Sequence, residues 1–109
     1  MRQFEIRWAN LPSPVGRRPV LLLSRTAAYA YLNKVIVGEI TPTARGIPEE
    51  VVLGEGEGLA RSSVVNLDNV HVIAKACLGE RLGVLPATRE REVKRALGYA
   101  LAWPELKLL

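Results

Sequence analysis

At 109 residues the chain has the usual size of one folded unit, and residues 1–109 are read as a single domain. An apolar share of 49% with 24% charged residues excludes a disordered chain, and no apolar run is long enough to span a bilayer. The formal net charge of +4 is uneven: residues 1–48 carry seven Lys/Arg against two acids, residues 49–80 two against six, and residues 81–109 six against three. That distribution suits a polyanionic partner for the first part and excludes a uniformly basic nucleic-acid coat.

Phe4 to Ala9 alternates apolar and polar, which predicts a half-buried strand with Phe4, Ile6 and Trp8 inward and Glu5 and Arg7 outward. Arg2, Glu5 and Arg7 interrupt any signal-peptide core, so a cytoplasmic location without membrane attachment is expected. Asn10 to Gly16 is a turn-rich loop with two prolines. Next comes Gly16-Arg17-Arg18-Pro19-Val20-Leu21-Leu22-Leu23-Ser24, whose continuous apolar run predicts a strand buried on both faces with Pro at its start. Two guanidiniums at the mouth of a rigid strand suit phosphate binding; they serve equally as solvated loop residues.

Residues 25–32 predict a short helix, with Ser24 as N-cap and Tyr29 and Leu32 on one face. Residues 35–41 are β-branched and predict a third strand ended by Pro42, and Glu50 to Leu53 predict a fourth. Gly54-Glu55-Gly56-Glu57-Gly58 has neither P-loop nor dinucleotide spacing, and its carboxylates would repel phosphate; it reads as a flexible acidic hairpin loop. Ser63–Leu67 and Val70–Ile73 read as two β segments broken at Asp68-Asn69, and residues 79–85 as a last strand. Val93, Ala96, Leu97, Ala100 and Leu101 form one apolar helical stripe, with Thr88 as N-cap, a Glu90–Lys94 pair, and Gly98 weakening the helix by up to ~1 kcal/mol. The whole predicts a mainly β fold, a small curved barrel or roll capped by a C-terminal helix.

The chemistry is bounded by what is scarce. A single cysteine, Cys77, excludes an intramolecular disulfide and reads as a structural thiol, and no His/Cys cluster offers a metal site. The lone His71 assembles no Ser/His/Asp triad. Arg with Thr or Ser fits one reaction class well, RNA cleavage in which the substrate's 2′-hydroxyl attacks its own phosphate. The difficulty is that arginine stays protonated at neutral pH and makes a poor general acid or base.

Five stretches in register carry a resemblance. They are Ile6/Trp8/Leu11 leading into Gly16–Ser24; Ile40-Thr41-x-Thr43-x-Arg45-Gly46-x-Pro48-x-Glu50-Val51; Leu53–Leu59; Ser63–Val70; and Leu78–Leu85 before the helix. Together they resemble the MazF/PemK-type toxins of bacterial toxin–antitoxin modules. The resemblance implies a small SH3-like β-barrel that pairs as a homodimer and cleaves single-stranded RNA at short sequences. It implies products with 2′,3′-cyclic phosphate and 5′-hydroxyl ends, and no metal or cofactor. Arg18 and Thr41 would be the catalytic pair, and Arg17, Ser24, Thr43, Arg45, Asn69 and His71 RNA contacts. A cognate antitoxin with an acidic, disordered C-terminal segment would fill the same basic groove.

The chain departs from the family pattern in three places. The loop before Arg17 is short, Asn69 stands where Gln is usual, and His71 where a basic residue often stands. Glu39 shares Thr41's face by strand alternation, and reads as a proton acceptor, as a repellent of phosphate, or as a structural partner of Arg7 or Arg17. Two other functions fit the same architecture, a CcdB-like DNA-gyrase inhibitor and an SH3-like binding module without chemistry. The Arg18/Thr41 pair favours the nuclease, and Trp103, followed by Pro104, matches the gyrase inhibitor poorly.

Overall fold

The apolar run at Val20–Leu22 becomes the middle of the molecule. In the computed structural model, which describes residues 1–109, it belongs to one six-stranded antiparallel sheet. The strands are β1 (Glu5–Asn10), β2 (Arg17–Leu22), β3 (Lys34–Thr41), β4 (Glu50–Leu53), β5 (Ser63–Ala74) and β6 (Leu78–Val84), in the order β4-β5-β3-β2-β1-β6. A C-terminal helix, α1 (Glu90–Leu101), and a single further turn, α2 (Pro104–Lys107), follow. The sheet curls into a half-barrel, in keeping with the predicted mainly β fold.

Val20, Leu21 and Leu22 are fully buried because the centre of the sheet is covered on both sides. Leu21 joins Ile6, Ile40, Leu53 and Val65 in an inner core closed by Val93 and Ala96 of α1. Val20 and Leu22 join Ala9, Val35, Val37 and Ile73 in an outer core. Tyr29, from the 3-10 turn Thr26–Ala30, covers that second core. Each such side chain contributes about 1.5–3 kcal/mol by leaving water.

The two β segments expected around Asp68-Asn69 are one strand of 12 residues. Its register against β3 jumps in the middle: Val37 pairs with His71 and Gly38 with Val70, but Glu39 pairs with Asn66. Residues 67–69 are therefore looped out, a large form of β-bulge. Their amides are satisfied locally, Leu67 N–H donating to Glu49 O (2.9 Å) and Asp68 N–H to Asn66 Oδ1 (2.8 Å). Because three is odd, the faces exchange across the bulge. Val65 and Leu67 enter the inner core, while Ile73 enters the outer one.

Several local expectations are corrected. Glu5 is buried, 6% exposed, held by a 2.6 Å bond from Arg7 Nε to its Oε1, with Arg81 Nε 3.8 Å from Oε2. Burial pushes the Glu5 carboxyl up, but the Arg7 bond and the charges of Arg7, the N-terminus and Arg81 outweigh it and hold it below its ordinary value. Trp8 is only half-buried and lies outside both cores. The acidic glycine loop is pinned: Glu57 accepts from Gly54 N–H (2.8 Å) and pairs with Arg89 (3.2 Å). Gly58 and Gly83 lie so close that a Cβ on Gly83 would stand 2.1 Å from Glu57 O, and one on Gly58 2.0 Å from Leu82 O. This contact brings the turn after β4 against edge strand β6.

At α1, Thr88 lies in a 3-10 turn, Arg89 occupies the cap position, and no side chain caps the helix. The ion pair of that turn is Arg89 with Glu92 rather than Glu90 with Lys94. Gly98 has a packing reason: a Cβ there would sit 2.6 Å from Leu106 Cβ, so glycine lets α2 fold back onto α1.

Candidate functional site

Arg17 and Arg18 open β2, and alternation along the strand sends them different ways. Arg17 lays its guanidinium over the Trp8 ring, 4.4 Å from the centroid, as a cation–π pair. Arg18 turns toward β3, where its Nε is 3.5 Å from Glu39 Oε1. That distance is a charge contact, and the Arg18 Nε–H is buried without a hydrogen-bond partner. Arg89 shows the contrast. Its Nε and Nη2 bond Glu92 at 2.9 Å, and Nη2 also bonds Val52 O at 2.6 Å, which consumes the fork structurally. Arg18 keeps its fork for something else.

Glu39 carries the second contact of this cluster. Its other oxygen, Oε2, is 3.1 Å from His71 Nε2. One carboxylate thus bridges an arginine on β2 and a histidine on β5. The partners expected for Glu39, Arg7 and Arg17, are engaged elsewhere, Arg7 with Glu5 and Arg17 with Trp8. The bulge explains why His71 is available: it faces the outer side together with Val37 and Glu39. Val20 pairs with Glu39, so Arg18 and Thr41, each two residues further along and beyond the paired region, fall on that same face by alternation.

Beside this cluster lies a groove of about 380 Å³. Trp8, Arg17, Arg18 and Pro19 from the start of β2 and its partner strand line it together with Ile40 and Pro42 and with Leu59 and Arg61 from the segment before β5. An apolar lining with arginines around it suits an anionic chain that carries apolar or flat groups. No group of three or more His, Cys, Asp or Glu side chains is arranged to hold a metal ion.

The remaining predicted contacts divide. Thr43 and Arg45 sit exposed in the loop after Thr41. Thr43 N–H donates to Thr41 Oγ1 (3.3 Å), and Glu50 accepts from Arg45 N–H (3.0 Å) and Gly46 N–H (3.0 Å), which orders the loop. Asn69 is exposed on the bulge, two residues from His71. Ser24 is not brought to the site. It is buried, its Oγ accepts from Ile36 N–H (2.8 Å), and it lies six residues from Arg18, about 20 Å along an extended chain.

Two groove residues, Trp8 and Arg61, escape the sequence reading, and the partners of Glu39 escape it too. Trp8 was expected in the core because its alternation with Ile6 is unbroken; its cross-strand partner Pro19, beside the arginines, is the signal that places it at the strand mouth. Arg61 sits in an acidic segment that masked it. Glu39 was seen, but its partners required the β5 bulge, which no periodicity announces.

Comparison with known proteins agrees with this picture. Residues 2–101 match the family model described as PemK-like, MazF-like toxin of type II toxin–antitoxin system. The chain is 42% identical over 98 residues, 89% of each protein, to the probable endoribonuclease MazF5 of Mycobacterium tuberculosis. Its fold is similar to that of the Mycobacterium tuberculosis toxin MazF-mt6, with a TM-score of 0.85, 37% identity, and coverage of 90% of this chain and 96% of that one. It is also similar to an endoribonuclease in complex with its cognate antitoxin from a mycobacterial species, with a TM-score of 0.82, 27% identity, and coverage of 95% and 97%.

Proposed function

This chain belongs to the PemK-like, MazF-like toxins of type II toxin–antitoxin systems, and from that premise we propose how it works as an endoribonuclease toxin neutralised by a cognate antitoxin. It cleaves single-stranded RNA without a metal by driving the substrate's 2′-hydroxyl onto the adjacent phosphorus. Arg18 and Thr41 are the catalytic pair. The observation that carries the reading is the Arg18 guanidinium, fixed on a strand, facing Thr41's side of the sheet, with a buried Nε–H that has no hydrogen-bond partner.

A fork held loosely by one carboxylate can turn to a phosphate, whose equatorial oxygens gain charge in the pentavalent transition state. Thr41, on the same face of the neighbouring strand by alternation, holds a phosphate oxygen or the attacking hydroxyl. Bond formation from the 2′-oxygen and departure of the 5′-oxygen leave a 2′,3′-cyclic phosphate and a 5′-hydroxyl. The RNA runs over the groove, where Arg17 and Arg61 meet its phosphates and Trp8 offers a stacking surface, and it extends beyond the groove to Thr43, Arg45, Asn69 and His71.

The cognate antitoxin competes for the same groove with an acidic, disordered C-terminal segment, which the rim arginines Arg17, Arg18 and Arg61 and the apolar lining suit. A homodimer covers the exposed apolar surface that a monomer leaves on the β3–β5 arm, where Ile36 (43% exposed) pairs with Val72 (66% exposed). Action in the cytoplasm is part of the same proposal and fits the toxin–antitoxin family; no helix is long and apolar enough to cross a membrane.

The test is incubation with a long single-stranded RNA in excess EDTA. Fragments with 5′-hydroxyl and cyclic-phosphate ends are expected, and Arg18→Ala should lose about 10²–10³-fold in kcat, the cost of removing one donor to a developing oxyanion, while its unfolding midpoint is kept. Intact RNA after hours, or cleavage that EDTA abolishes, overturns the metal-free reading; a fully active Arg18→Ala overturns the assignment of Arg18.

A further inference from the structure

We infer that His71 is the general base of the cleavage step and that Glu39 is its positioning residue, an inference that rests on the ribonuclease reading above. It begins from a gap. The reaction needs a group that accepts the 2′-hydroxyl proton, and neither half of the Arg18/Thr41 pair supplies one: arginine stays protonated and a threonine hydroxyl is a very weak base. His71 is the only histidine in the chain. Imidazole is the one side chain that ordinarily changes charge between pH 5 and 8.

The geometry fixes how the ring is used. Glu39 Oε2 lies 3.1 Å from Nε2, and an ionised carboxylate only accepts. In the neutral ring Nε2 therefore carries the hydrogen, and the lone pair is left on Nδ1. The carboxylate holds one tautomer and one orientation and stabilises the imidazolium once it forms, the service an orienting carboxylate gives a catalytic histidine. The same carboxylate touches Arg18 through Oε1, so proton acceptor and phosphate binder are spaced by a single carboxyl group. The His71 side chain is 27% exposed and lies on the same outer face of the sheet as Val37 and Glu39. The charged groups facing the ring are Glu39 from β3 and, beyond that carboxylate, Arg18 from β2; His71 makes no other ion pair.

The step balances without a co-reactant. Nδ1 takes the 2′-hydroxyl proton as the 2′-oxygen bonds to phosphorus. The P–O5′ bond breaks, and the departing 5′-oxygen takes a proton from water. The imidazolium returns its proton to solvent before the next turnover. A plain electrostatic role for His71 makes a different demand, since a permanent cation at the position would then serve as well.

The experiment is the pH profile of kcat/KM on a short fluorogenic single-stranded RNA for wild type, His71→Gln, His71→Arg, His71→Ala and Glu39→Gln, with thermal unfolding of each. Wild type is expected to show an ascending limb on the acid side of its profile, as a general base that must be deprotonated requires. His71→Gln should lower kcat by about 10²–10⁴-fold with KM within about threefold, and should lose that limb. His71→Arg should be no better, and added imidazole should restore part of the activity of His71→Ala. Glu39→Gln should displace the limb and lower kcat less than His71→Gln does. An unchanged profile in His71→Gln, or near wild-type turnover in His71→Arg, overturns the inference and leaves the ribonuclease standing. A wild-type protein that leaves RNA intact overturns both.

Discussion

Gly83→Ala is the sharpest structural test, because the obstacle is backbone on both sides. A Cβ at position 83 would meet Glu57 O at 2.1 Å and the Glu57 carbonyl carbon at 2.7 Å. Ordinary non-bonded contact lies near ~3.5 Å, so β6 and the Glu55–Glu57 turn must separate by more than about 1 Å. No side-chain rotation relieves this. Overpacking of this kind costs about 1–3 kcal/mol, and rigid partners place the expectation at the upper end. For a domain of this size that is a fall in unfolding midpoint of roughly 10 °C. Gly58→Ala should cost more, since Gly58 adds a φ of +90° to a 2.0 Å approach to Leu82 O.

The internal control is Gly79→Ala on the same strand, where the nearest atom, Trp8 Cβ, is at an ordinary 3.4 Å; it should stay within about 0.5 kcal/mol of wild type. Urea and thermal unfolding followed by tryptophan fluorescence measure all three. Because Gly58, Leu59 and Arg61 line the groove, the two damaging variants should also raise KM for RNA at temperatures where they remain folded. Gly83→Ala with the stability of Gly79→Ala would refute the idea that this glycine contact holds the groove wall.

Two further outcomes follow from particular contacts. Gly98→Ala, which helix propensity alone would make stabilising, should instead lower the midpoint, since its Cβ would stand 2.6 Å from Leu106 Cβ and 3.0 Å from the Leu106 carbonyl carbon; a raised midpoint would contradict the α1–α2 packing. Glu5 has its carboxyl held below the ordinary range when folded, so its ionised form contributes stability above its unfolded value of about 4.3, and that contribution is lost as pH falls through the lower folded value. Glu5→Gln should therefore be less stable than wild type at neutral pH and show a shallower stability slope below about pH 4.5; identical slopes in chemical denaturation would count against the Arg7 and Arg81 pairing.

Local pattern made much of this molecule legible. Val20–Leu22 is buried on both faces as its continuity demands, and the stripe through Val93 and Ala96 packs against the inner core. The arginine-bearing strand mouth was legible too, because Pro19 and the apolar run mark where β2 starts. What stayed hidden depends on contacts distant in sequence. Glu5 is buried although its alternation puts it beside Arg7, because Arg7 and Arg81 satisfy its carboxylate, and Gly98 is explained only by Leu106. Ser24 looks like a polar strand-end residue in sequence, yet Ile36 claims its hydroxyl. The union of Arg18, Glu39 and His71 spans three strands and turns on a register jump, so composition and spacing could offer its members singly and not as a cluster.

The bulge in β5 makes the strand behave like a tape read in two frames. Upstream of it the odd-numbered residues face inward; downstream they face outward, and His71 is in the second frame. Length changes between Leu67 and Asn69 should then obey parity. Gain or loss of two residues preserves both frames and alters only the size of the excursion. A single insertion or deletion forces one half of the strand to present the wrong side, sending Ile73 away from its core or His71 away from Glu39. Such a change would damage stability and turnover together, although an insertion beside Asp68 replaces no core side chain and no residue that lines the groove.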